Sequence, residues 1–91
     1  MKVTAKGGIP QGDFLAKRYL TKDGEKTAVS TYQINISNKK IILLDNGDDI
    51  SSEVRHIVFK NKTTFLMWIR PCKLGMLYTL ENFQKIEENS D

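Results

Sequence analysis

The sequence predicts a mainly β domain, a small antiparallel sheet that rolls over on itself or closes into a barrel. Three observations carry that prediction. Residues Ala28 to Ser37 alternate, with Tyr32, Ile34 and Ile36 on one side and Thr31, Gln33 and Asn35 on the other. That period of two is the mark of a half-buried strand. The pairs Asp23-Gly24 and Asn46-Gly47 stand between β-compatible runs, and such pairs make hairpin turns because both central positions need φ > 0. Val54 to Phe59 and Thr63 to Ile69 are β-branched and aromatic runs joined by Lys60-Asn61-Lys62, the most convincing hairpin in the chain.

The elements follow in order. Lys2 to Lys6 reads as a short edge strand. A flexible segment at about 7–13 follows, since Gly7-Gly8-Ile9-Pro10-Gln11-Gly12 is too rich in turn formers for a regular element. Phe14 to Leu20 reads as a strand leading into the Asp23-Gly24 turn. After the alternating strand, Ser37-Asn38-Lys39-Lys40 turns the chain into Ile41-Ile42-Leu43-Leu44. Four consecutive apolar residues predict a central strand covered on both faces. Ile50 to Glu53 connects to the Val54 strand, where His56 has Val54 and Val58 as its expected same-face neighbours. In the next strand Thr63, Phe65, Met67 and Ile69 share one face, and Thr64, Leu66, Trp68 and Arg70 the other. Pro71 closes it, because proline cannot donate to a ladder.

The C-terminal stretch supports two readings. Thr79 is a plausible N-cap and Leu80, Phe83 and Ile86 fall on one helical stripe, which favours one short C-terminal helix. Alternatively Met76 to Thr79 is a strand, Leu80 to Phe83 a tight turn and Gln84 to Glu88 a last strand. Both readings bury Leu80, Phe83 and Ile86. About five to seven short strands must roll up to cover their edges. The matching architectures are a small SH3-like barrel and a pleckstrin-homology-like sheet capped by one terminal helix. The run from Ile41 through the acidic loop to the Val54–Ile69 hairpin resembles the middle of a pleckstrin-homology domain. It does so as a pattern of turns rather than a motif, and it assigns no family.

Ninety-one residues make a single domain, 1–91, with one core. Apolar residues are 40% and charged residues 27% of the chain, an ordinary globular mix without a long apolar run, so no membrane association is expected. Met1 to Gly8 has no apolar stretch of the secretory kind, and a lone Cys72 suits a reducing compartment, so the expected location is cytoplasmic. The sequons at Asn35 and Asn61 then read as chance. Charge is segregated along the chain. Residues 1–44 carry +5, residues 45–53 carry −4, residues 54–73 carry +5 and residues 74–91 carry −3, for a net of +3. Such polarity permits a two-signed surface that steers a partner.

The residues offer little chemistry. One His and one Cys, His56 and Cys72, are too few for a structural zinc site. Asp45, Asp48, Asp49 and Glu53 lack the calcium-loop order, since Gly47 falls third rather than sixth. His56 lies between strand residues as a packed or edge histidine. Cys72 has Arg70 and Lys73 nearby, which could lower its pKa, but it reads as a bystander thiol. Gly7, Gly8 and Gly12 lack the spacing and following Lys-Ser/Thr of a phosphate loop. The expectation is therefore no enzymatic activity, no metal and no cofactor.

Two binding functions remain. The first is protein–protein interaction, as an inhibitor, adaptor or assembly subunit, using Asp45, Asp48 and Asp49 against a basic partner, with Met67 and Trp68 as anchors wherever either is exposed. Strand addition at an open edge is a further route. A Lys-, Ile- and Asn-rich composition associates such a domain with AT-rich genes, including those of phages and mobile elements. The alternative is nucleic-acid binding, in which Lys17, Arg18, Tyr19, Lys60, Lys62 and Arg70 interleave cations with stackable rings.

Overall fold

The computed structural model describes residues 1–38 and 40–82. Its strands are β1 (Lys2–Ala5), β2 (Gly12–Lys22), β3 (Glu25–Ser37), β4 (Lys40–Asp45), β5 (Asp48–Asp49), β6 (Val54–Phe59), β7 (Thr64–Ile69) and β8 (Met76–Asn82), with a 3-10 turn at Ser51–Glu53 before β6. They form one sheet in the order β1-β6-β7-β8-β2-β3-β4-β5. The sheet is open and curls into a half-barrel, so the fold is mainly β and rolled.

Local turn chemistry sets the long β2–β3 hairpin and the short β4–β5 hairpin. Asp23 and Gly24 have φ of 53° and 81°, and Asn46 and Gly47 have φ of 51° and 88°. Both pairs hold the left-handed conformation whose twist matches the flanking strands. The β6–β7 turn is closed differently. Lys60 N donates to Thr64 O at 2.9 Å, and Asn61 Oδ1 accepts from both the backbone N and the hydroxyl of Thr63.

Alternation then sends one side of the central strands into the hollow. Ile34 and Ile36 from β3, Ile57 and Phe59 from β6, Phe65 and Met67 from β7, and Tyr78 and Leu80 from β8 are all buried there. Phe65 packs on Phe59 at 5.0 Å and on Tyr78 at 5.7 Å between ring centroids. Burying each such side chain is worth about 1.5–3 kcal/mol, which makes this concave core the main source of stability.

Four expectations need correction. First, no helix begins at Thr79: β8 continues to Asn82, pairing with β7 from Thr64 to Met67 and with β2 from Phe14 to Lys17. The period-two set Met76, Tyr78, Leu80 prevails over the helical stripe, because a helix there would leave two neighbouring ladders unpaired. Leu80 is buried as both readings required. Phe83, Ile86 and the proposed last strand at 84–88 lie outside the described residues.

Second, the sheet is not wholly antiparallel, for the edge strand β1 runs parallel to β6. Third, β4 is not covered on both sides. Ile41 and Leu43 are buried, but Ile42 and Leu44 are half-buried on the convex face, and β4's outer neighbour is the two-residue β5. Fourth, Val54 does not share a face with His56. The β6–β7 register shifts between Val54 and His56, a bulge that turns Val54 into the core and leaves His56 with Val58 on the convex face.

Candidate functional site

The convex side of β6, β7 and β8 collects apolar side chains that the core does not use. β7 points Thr64, Leu66 and Trp68 outward, because Phe65 and Met67 point in. Register brings neighbours beside them. Leu66 stands opposite Val58 on one flank and Leu77 on the other, and Trp68 stands opposite His56. Leu77 is 50% exposed; Val58, Leu66 and Trp68 are half-buried. Directly opposed side chains lie close enough to form a continuous row across three strands.

The indole at the end of that row is held from both sides. On the β6 side, the His56 ring stacks against it, with centroids 5.3 Å apart and planes at 21°. His56 is itself tied to β1, its Nε2 lying 3.2 Å from the Thr4 hydroxyl. On the β8 side stands Gly75, whose backbone approaches so closely that a Cβ there would lie 2.5 Å from Cζ2 and 2.6 Å from Cε2 of Trp68. Those distances place Gly75 over the face of the benzo ring. His56 and Gly75 thus each pack against part of the indole, which stays half-buried.

Positive charge flanks the row on the β6 side and at the strand ends. Lys60 and Lys62 are exposed in the β6–β7 turn, Lys73 is exposed after β7, and Lys2 and Arg55 are exposed on the neighbouring strands.

The residues singled out from the sequence scatter over three places. Trp68 lies on the convex face. Met67 is 1% exposed and so is a core residue rather than a surface anchor; its place in the alternation demanded that. Asp45, Asp48 and Asp49 sit on the β4–β5 hairpin at the far edge of the sheet, four strands away from β7. The carboxylate of Asp49 accepts from Ser51 N at 2.9 Å, and its hydrogen bonds to Ser51, with Lys40 nearby, hold its pKa below the usual value. Among the described residues, no group of three or more His, Cys, Asp or Glu could hold a metal ion.

The cationic set also divides. Lys17 and Tyr19 face outward from β2, and both engage Glu81 of β8. Lys17 Nζ lies 3.3 Å from Glu81 Oε1, and the Tyr19 hydroxyl donates to Glu81 Oε2. The hydrogen bond from Tyr19, with help from Lys17, pulls the Glu81 carboxyl below its ordinary range and pushes the Tyr19 phenol up. Lys26 completes the cluster, its ammonium 4.8 Å from the Tyr19 ring centroid. Sequence reasoning missed Glu81, and no local signal marks it, because only the β2–β8 register brings it to Lys17. Arg18 points the opposite way, into the concave side, where Arg70 and Cys72 also lie. His56 and Cys72 therefore stand on different faces.

Among the described residues, no helix is long and apolar enough to cross a membrane. In comparisons with known proteins, no family model matches the chain, and no curated protein or solved structure matches it either.

Proposed function

We propose that this chain is a non-enzymatic binding domain that docks another protein on the convex face of β6, β7 and β8. The observation carrying this reading is the row Val58–Leu66–Leu77 ended by a clamped Trp68, an apolar centre flanked by basic residues. Tryptophan beside an apolar row is a composition found in binding hot spots, and an indole already held in place loses little freedom on association. The flanking charge sets the partner's character. Residues 54–73 carry no Asp/Glu, and Arg55, Lys60, Lys62 and Lys73 are exposed there, so the complementary surface is apolar at its centre and acidic beside it.

Nucleic acid fits this face less well. A base needs the flat of a ring to stack on, and His56 and Gly75 already pack against the Trp68 ring. The neighbouring Leu66, Leu77 and Val58 offer no ring. Lys17 and Tyr19, the other cation–ring pair, are engaged with Glu81.

Affinity capture from the native host, with and without nuclease, tests the reading when repeated with surface variants. The expected outcome is one nuclease-resistant protein whose affinity falls at least about 30-fold with Trp68→Ala. Leu77→Asp, at a half-exposed position that tolerates a charge, should do the same, while Asp48→Asn keeps the partner. Release by nuclease, or retention by both Trp68→Ala and Leu77→Asp, would refute it.

A further inference from the structure

A second candidate site opens on the other side of the sheet. At one end of the half-barrel the inward-facing side chains of β2, β3, β7 and β8 leave a cavity of about 200 Å³. Its polar wall holds Arg18, Ser30, Tyr32, Arg70 and Tyr78. Its apolar wall comes from Met67, Ile69 and Met76, continued by Leu74 at the rim. No Asp or Glu lines it, and among the described residues neither guanidinium has a carboxylate partner.

The strand pattern explains how a cation comes to face this way. On β2 the inward position before Arg18 is Ala16, fully buried and small. Just after the next inward position, Arg18, the β2–β3 register shifts and leaves Val29 of β3 as the extra residue, a bulge that bends β3 beside the guanidinium. Tyr32 and Tyr78 stand 6.0 Å apart between centroids on the facing strands. Arg18 and the Tyr32 hydroxyl are the polar neighbours of the Tyr78 hydroxyl, and burial raises that phenol to about 12. It therefore stays a neutral hydrogen-bond donor throughout the physiological range.

We propose that this cavity binds a carboxylate carried on a compact apolar body. A guanidinium recognises a carboxylate through paired parallel N–H bonds, and phenolic and seryl hydroxyls supply further donors around it. The methionine-lined wall suits an aliphatic group of variable shape. A hollow of this size takes a small group such as a short acyl chain or a leucine with its terminal carboxylate. Both sources share the chemistry, and the site is separate from the convex face of Trp68.

Titration of the full chain by amide NMR tests this with heptanoate, heptanol, and an acetylated dipeptide ending in leucine as free acid and as amide. Each is taken to ~10 mM, where even millimolar binding is visible. The carboxylates should move the resonances of Arg18, Tyr32, Met67 and Tyr78, and bind about tenfold or more tightly than their neutral counterparts. The tighter carboxylate names the source. Arg18→Gln should remove that preference and Tyr32→Phe should weaken binding several-fold, with Asp48→Asn behaving as wild type. If Arg18→Gln fails to fold, the acid-to-neutral ratio and Tyr32→Phe still decide. No shift, equal binding of acid and neutral ligands, or shifts centred elsewhere would overturn the proposal.

Discussion

Gly75→Ala is expected to loosen the clamp on Trp68 and to destabilise the protein. The added Cβ would lie 2.5, 2.6 and 2.9 Å from three ring carbons, about 1 Å inside an ordinary carbon contact. The indole cannot simply retreat, because the His56 ring is stacked behind it at 5.3 Å. Overpacking of this kind costs about 1–3 kcal/mol, a fall in Tm of at least about 4 °C for a domain of this size. Gly75 is not among the positive-φ residues, so the cost is steric. The same substitution in a Trp68→Ala background should therefore change sign. With the ring gone, alanine merely restricts the unfolded chain and stabilises by up to about 1 kcal/mol. Thermal unfolding of the four proteins of the cycle gives the coupling. Trp68 is the single tryptophan, so its emission reports this site alone and should shift in Gly75→Ala. Unchanged stability and emission in Gly75→Ala, or equal effects in both backgrounds, would refute the described packing.

Three further outcomes are expected. Gly24→Ala places a Cβ at φ of 81°, and should cost about 1–2 kcal/mol in urea unfolding without altering the core. Glu81→Gln should lower stability slightly at neutral pH, since the Lys17 pair is at the surface. The folded-state pKa of Glu81 lies below the ordinary 4.5, so its contribution is present above that pH and is lost as pH falls through the depressed value. Wild type and Glu81→Gln should accordingly converge in acid, as seen in Tm against pH. Tyr78 titrates near 12 against an ordinary 10.0 because burial disfavours its phenolate. Its contribution is intact below pH 10 and disappears as pH rises toward 12, so a spectroscopic titration should show Tyr78→Phe removing a phenol that ionises well above the ordinary value.

The sequence speaks clearly where the physics is local. Asp23-Gly24 and Asn46-Gly47 announce their turns because the backbone conformation they adopt depends on those residues alone. Phe65 and Met67 announce the inner face of β7 because alternation is a property of one strand. What the sequence hides depends on partners distant in the chain. The strand at Leu80 is decided by ladders with β2 and β7, not by the helical spacing of its own residues. The parallel pairing of β1 requires a strand more than fifty residues away, and the bulge that turns Val54 inward is a matter of register with β7. The candidate site follows the same division. Alternation already placed Met67 and Trp68 on opposite faces, and the structure buries Met67 and leaves Trp68 half-buried on the convex side. Gly75, a lone glycine in a loop, carries no mark of the ring it touches.

Assigned amide spectra of the full chain, recorded free and with the captured partner, test the docking face most directly. Perturbations centred on Val58, Leu66, Trp68 and Leu77, with the Asp45–Asp49 hairpin still, are the expected result. Perturbations centred on that hairpin instead, or spread along Lys17, Lys60 and Lys62 and abolished by nuclease, would contradict it.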